Sequence, residues 1–282
     1  MDNSADYIFH LHIPKCAGTS VRTSVFGMLS DNLCLEFNSS DPFNLEISLK
    51  EFSLAISQKP SARFISGHFP YGCHKALGTD KFKYITVLRN PVDRILSAYR
   101  HTLVHNLYLL SPEEATLLVR DGLSCYINSR YGEVTFCNAQ ARLVSGMLTN
   151  DQLYSICPAD FERIVDGIIA EDFIHVGLQS DLNSTLLFLS SLYKSVSQKD
   201  IQECFSNSSI DHDSSRLLRQ ELIEFIASKN VLDICLLEKH SSFRSFYLRS
   251  NVNNNDEASY FAEVLNQALL EMSSQLRFVH SL

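Results

Sequence analysis

From Tyr7 to Ile13 the chain reads YIFHLHI, a run dominated by β-formers, and Pro14 closes it because proline has no N–H for a ladder. Lys83 to Leu88 (KYITVL) is β-branched and apolar enough for the centre of a parallel sheet. Shorter runs at Asn32–Phe37, Arg63–Ser66 and Phe173–Gly177 predict further strands. Between them the period changes. Leu45, Leu49, Phe52 and Ile56 recur at helical spacing over 45–57, and Pro91 opens a longer helix from Val92 to about Leu107. Ser111-Pro112-Glu113-Glu114 starts a helix to about Arg120, and the spacing predicts others over 138–147, 158–170 and 181–194. Ser195 to Ser215 is polar and reads as an irregular connection, followed by helices over 214–228 and 231–249. Alternating strands and helices predict an α/β domain with a parallel central sheet flanked by helices, over residues 1–250. Residues 251–282 read as a linker (NVNNND) and a terminal helix from Glu257 to Arg277, packed on that domain or extending from it.

Charge narrows the partners. The 282 residues carry 24 Lys and Arg against 32 Asp and Glu, a net charge of −8. No global basic field recruits nucleic acid, so an anionic ligand must be met by a local cluster. Arg130, Arg142, Lys75 and Lys81 are too scattered in sequence to show such a patch. The N-terminal MDNSADYIFH lacks a basic segment ahead of a long apolar run, and no stretch approaches the ~18 apolar residues of a membrane span. A cytoplasmic location without a membrane anchor is the expectation. The eight cysteines have no C-x-x-C pair and no zinc-like spacing, so reduced thiols and no bound metal are expected.

Chemistry enters at the end of the first strand. Pro14, Lys15, Cys16, Ala17 and Gly18 make a tight turn into Thr19-Ser20, the first turn of a helix running to about Met28. A helix N-terminus has backbone N–H groups without intrahelical acceptors and the positive end of the helix dipole. Gly18 permits close backbone approach, Thr19 and Ser20 add hydroxyls, and Lys15 adds a movable positive charge. The loop reads as a phosphate cradle, P-loop-like in placement but lacking the G-x-x-x-x-G-K-[ST] order, since Lys15 precedes the glycine; the plainer reading is an ordinary strand-to-helix turn with a surface lysine. His10 and His12, alternating along the strand, are expected to brace this cradle. Cys16, at a helix start beside a lysine, reads as a passive small residue or as a thiol with some thiolate character.

Two more strand ends carry polar chemistry. The 63–66 strand runs into Gly67-His68-Phe69-Pro70-Tyr71-Gly72, a structured loop that presents a histidine, and the 83–88 strand ends at Arg89, with Ser97 two helical turns past Pro91. Parallel strands bring their carboxyl ends to one sheet edge, so these loops are expected to converge there. The set suits a ligand with two separated phosphates and a proton to be removed.

HIPKCAGTS followed by TVLRNPVDRILSAYRH resembles the sulfotransferases that use 3′-phosphoadenosine-5′-phosphosulfate (PAPS), nearest to the heparan and uronyl 2-O-sulfotransferases and their bacterial relatives. Weaker likeness continues through SGHFPYG, NAQARLVSG, FIHVGLQSDLNSTLLFL and NVLDICLLEKHSSFR, covering about Tyr7 to Tyr247. The resemblance implies that Pro14 to Ser20 bind the 5′-phosphosulfate, with Lys15 neutralising the leaving oxygen. It implies that Arg89 and Ser97 hold the 3′-phosphate, that His68 is the catalytic base, and that Asn138, Gln140 and Arg142 lie near the acceptor. The product nucleotide would be adenosine 3′,5′-bisphosphate, the acceptor a hydroxyl of a sugar or another alcohol, and no metal is called for. Cys16 stands where the family usually has threonine, and the terminal helix has no family counterpart.

Plainer readings compete at each position. Arg89 can pair with Asp93, Ser97 can bond back to the Asp93 carbonyl, and His68 can merely tie its loop, which would leave His101 as the next candidate base. Asn138 and Arg142 can be a structural i,i+4 pair. The scattered Asp and Glu residues read as solvated faces. At the level of function, a kinase-like phosphotransferase or a non-catalytic nucleotide-binding module would use the same scaffold.

Overall fold

A computed structural model of the chain describes residues 6–106, 110–120, 122–128, 132, 136–193 and 220–240. The linker and helix expected over 251–282 lie outside the described residues. So do the whole of the 195–215 connection, the start of the 214–228 helix, the end of the 231–249 helix, and Arg130. The chain divides into two compact units, whose described parts are residues 6–89, 138–193 and 232–240 for the first and 90–106, 110–120, 122–128, 132, 136–137 and 220–231 for the second.

The first unit is built on five parallel strands: β1 (Tyr7–Leu11), β2 (Cys34–Glu36), β3 (Phe64–Gly67), β4 (Phe82–Leu88) and β5 (Phe173–Leu178). Their order is β2-β3-β1-β4-β5, with His10 registered between Ser66 and Ile85, and Leu11 between Gly67 and Thr86. The chain passes from β1 outward to β2, returns to β3, and then crosses β1 to reach β4. Direction therefore reverses about β1, and the crevice at such a reversal is where open parallel sheets bind ligands.

Alternation along the strands divides the core into two layers. Ile8, Phe64, Ile85 and Val87 face helices α1 (Gly18–Met28) and α9 (Leu182–Tyr193), packing on Val21, Val25, Leu186 and Leu189. Phe9 faces the other way, stacked on Tyr84 with ring centroids 5.0 Å apart and tilted against Phe52 of α2 (Leu45–Gln58) at 5.6 Å. Tyr84 continues the layer to Phe173 at 5.3 Å. Such ring pairs contribute about 0.5–1.5 kcal/mol each beyond the area they bury. Helix α8 (Pro158–Asp172) lies against β4 and β5, with Phe161 and Val165 buried. The short helix α6 (Ala139–Ser145) is buried at every position and ends at Gly146, whose φ of 71° suits glycine.

The second unit is helical. Helices α3 (Pro91–His101), α4 (Pro112–Arg120), α5 (Gly122–Ile127) and α10 (Gln220–Ser228) share a core of Val92, Ile95, Leu96, Tyr99, Leu118, Leu123, Ile127, Phe136, Ile223 and Ile226. The Asn90 side chain caps α3, its Oδ1 accepting from the N–H groups of Val92 and Asp93. The helix is shorter than the apolar spacing predicts, because Thr102–Asn106 continues it as a π-helical turn. Helix α5 and the short helix α7 (Asn150–Tyr154) of the first unit have no counterpart in the expected elements.

Candidate active site

The loop after β1 folds through two left-handed, non-glycine residues, Lys15 (φ 68°) and Ala17 (φ 62°). The Cys16 N–H between them donates to the Ile13 carbonyl at 3.2 Å and the Ser20 N–H to the Ala17 carbonyl at 3.1 Å, so the loop closes tightly into α1. Ala17 is the N-cap of α1 and no side chain caps that helix. An anion is the natural partner for a first turn left in this state. Gly18 is required by packing. A Cβ there would lie 1.8 Å from Cδ2 and 2.3 Å from Nε2 of His12, so the imidazole rests directly on the glycine.

His12 also joins the cradle to His68. The His68 ring lies 4.3 Å from the His12 ring, centroid to centroid, and His68 Nδ1 is 2.7 Å from the His12 carbonyl oxygen. A carbonyl only accepts, so Nδ1 carries the proton and the neutral ring keeps a lone pair at Nε2. The backbone of His68 is fixed as well, its N–H donating to Asn38 Oδ1 at 3.0 Å. The preceding Gly67 has no room for a side chain, since a Cβ would meet the Phe37 carbonyl oxygen at 1.8 Å. Burial lowers the His68 pKa, the bond to His12 works against that, and the nearby Arg22 guanidinium lowers it further. Arg22 is itself paired with Glu36.

Behind this pair the strand carries His10, whose Nδ1 lies 2.8 Å from Ser66 Oγ and whose ring is 5.6 Å from that of His12. Burial, chiefly, drives His10 down to about 3 and His12 down to about 2, so both rings are neutral at physiological pH. The expected bracing role of these two histidines is thus seen directly in their contacts.

Arg89 follows the last residue of β4 and turns back to the cradle, its Nη1 donating to the Lys15 carbonyl at 3.0 Å. Lys15 to Ser20, His68 and Arg89 therefore gather within the first unit, at the carboxyl edge of β1, β3 and β4. Ser97 lies in the second unit, partly buried on α3, and His101 ends that helix with its ring 4.8 Å from that of His105.

Asn138, Gln140 and Arg142, expected near the acceptor, are all buried, and several of their bonds are made to the protein's own backbone. Arg142 donates to the Leu148 carbonyl and lies over the Phe43 ring at 4.4 Å. Asn138 Oδ1 accepts from Leu232 and Asp233 N–H, capping helix α11 (Val231–His240). Asp233 returns the favour at α6, its carboxyl oxygens accepting from Ala141 N–H at 2.7 Å and Gln140 N–H at 3.4 Å. Asp233 is 0 % exposed, a correction to the reading of the acidic residues as solvated faces. The physical reason is that capping an enclosed helix start gives an acid N–H partners in place of water. Its place near the start of α11 was the available sequence signal, but the partner helix begins 94 residues earlier.

Among the described residues no group of three or more His, Cys, Asp or Glu is arranged to hold a metal ion, and no helix is long and apolar enough to cross a membrane. A comparison with curated proteins gives no match. The family model described as "Sulfotransferase family" matches residues 2–172, which include β1 to β4 and run to the end of α8, with the whole cradle, His68, Arg89 and α6, and the chain belongs to that family.

Proposed function

We propose that the protein transfers the sulfuryl group of PAPS to a hydroxyl of a carbohydrate acceptor. The observation that carries this reading is the link from cradle to base: His12 packs its ring on Gly18 and offers its carbonyl to His68 Nδ1. A proton acceptor at Nε2 is thereby fixed beside an anion-binding loop. The residues suit the donor nucleotide, because the Lys15 ammonium and the start of α1 fit a 5′-phosphosulfate and Arg89 supplies a guanidinium for the 3′-phosphate.

PAPS supplies the sulfuryl group, and the acceptor oxygen forms its bond to sulfur as the sulfur–oxygen bond to the 5′-phosphate breaks. His68 Nε2 takes the acceptor proton and becomes imidazolium. Lys15 and the α1 N–H groups hold the phosphate oxygens on which negative charge appears. Arg89 keeps the nucleotide in register while the proton moves.

The test is transfer of labelled sulfate from PAPS to a panel of glycans and small alcohols, with excess chelator in one arm. Transfer that survives chelation is expected, whereas phosphoryl transfer requiring Mg²⁺ would indicate a kinase-like enzyme. His68→Ala is expected to lose about 10²–10⁴-fold in kcat while binding adenosine 3′,5′-bisphosphate as before. An undiminished kcat would move the base elsewhere. Binding of the nucleotide with no transfer to any hydroxyl would make the protein a binding module.

A further inference from the structure

Gln140 is 1 % exposed, and its primary amide has two acceptor and two donor positions to satisfy. All four are used. Oε1 accepts from the Arg89 N–H at 2.8 Å and from Cys16 Sγ at 3.5 Å. Nε2 donates to the Arg89 carbonyl at 2.8 Å and to Asp233 Oδ2 at 3.4 Å. The side chain thus grips both peptide groups of Arg89 as a neighbouring strand would, one residue beyond the point where β4 stops pairing with β5 at Leu88 and Leu178. Its third bond reaches into the cradle.

These contacts close a circuit. Cys16 is bonded to Gln140, Gln140 to the Arg89 backbone, the Arg89 guanidinium to the Lys15 carbonyl, and Lys15 is the covalent neighbour of Cys16. The buried amide therefore ties the cradle to the strand end that carries Arg89, beyond the last paired residues of β1 and β4 at Leu11 and Thr86. Asp233 sets the orientation of that amide, since it accepts from Gln140 Nε2 while its other oxygen holds the Ala141 N–H. Two anion-binding points at a fixed spacing select a ligand by the distance between its charges, and rigid spacing lowers the ordering cost of gripping both ends.

We propose that Gln140 is a positioning residue that sets the spacing between the cradle and Arg89, and with it the preference for a nucleotide phosphorylated at both ends. The inference rests on the nucleotide reading above. It also replaces the expected acceptor contact at Gln140 with a role in nucleotide selection.

The test uses the full chain and calorimetric Kd values for adenosine 3′,5′-bisphosphate and adenosine 5′-monophosphate. Wild type should prefer the bisphosphate, and the ratio of the two Kd values is the readout. In Gln140→Met, which keeps the length and loses every hydrogen bond of the side chain, the ratio should fall at least tenfold, mainly through the bisphosphate. General destabilisation would weaken both nucleotides together and leave the ratio standing. Gln140→Glu keeps the acceptor for Arg89 N–H but sets an oxygen against the Arg89 carbonyl and Asp233, and should fall similarly. Cys16→Ala removes the arm into the cradle, with the Sγ contact to the Pro14 carbonyl at 3.9 Å, and leaves the Gln140 bonds to Arg89 in place; a drop of threefold or more is expected, and it carries the test if the Gln140 variants fail to fold. An undiminished ratio in the variants that fold would overturn the positioning role. No preference in wild type would instead defeat the two-phosphate reading, so the two failures are told apart.

Discussion

Acidification probes the file of imidazoles that backs the cradle. His10 and His12 stand at about 3 and about 2, against an ordinary value of 6.5, because both rings are removed from water with no acidic partner to stabilise a proton. In the unfolded chain each takes up a proton near pH 6.5. Below that pH the unfolded state binds more protons, so the stabilisation is complete above 6.5 and is lost progressively as pH falls toward the folded values. Between pH 7 and pH 5 the unfolded form of one such ring gains a factor of about 25, or about 2 kcal/mol. That figure is insensitive to the precise folded pKa, since at pH 5 both rings remain neutral in the folded protein. For a domain of ordinary stability, two rings together would remove a large fraction of the total.

The assay is urea unfolding at pH 7, 6 and 5, followed by circular dichroism because the chain has no tryptophan. His10→Asn is the informative variant. It removes a titrating ring whose Nδ1 bonds Ser66 on the strand next to β1, away from the cradle residues themselves. The substitution lowers stability at every pH through lost packing, so the readout is the change with pH rather than the level. His12, His68, His74 and His175, all with lowered pKa values, remain in both proteins and cancel. The variant should lose about 2 kcal/mol less than wild type between pH 7 and pH 5. Equal losses would mean that His10 titrates normally in the folded state, and the account of a dry imidazole file would be refuted.

Two further outcomes follow from the same contacts. Gly18→Ala drives a methyl group into the His12 ring, and overpacking of this kind costs about 1–3 kcal/mol. Thermal melts and nucleotide calorimetry should both register it, and unchanged values would show that the ring has room to move. Arg22→Ala removes a positive charge that lowers the His68 pKa, while burial, the larger cause, stays. The acid limb of the kcat/KM profile should therefore move to higher pH, and an unmoved limb would disconnect His68 from the rate.

The sheet and the cradle were legible because their signals are local. Pro14 stops one strand, Gly18 and the residues around it turn the chain into a helix, and KYITVL runs straight to Arg89, all within a few residues of one another. Alternation placed His10 and His12 on one side of β1, which is where their rings line up. The brace was illegible for the opposite reason. Gln140 meets Arg89 across 51 positions and Asp233 across 93, and nothing in the immediate surroundings of either reveals the other. The family resemblance put Asn138, Gln140 and Arg142 near the acceptor, and nothing local in the sequence says that all three are buried. Helix α6 is enclosed throughout, so its polar side chains had to find protein partners, and they found peptide groups at helix starts and at a strand end. Burial converts a would-be recognition residue into one that sets geometry. A change at Gln140 is therefore expected to act on nucleotide selection through Arg89, and not on the choice of acceptor.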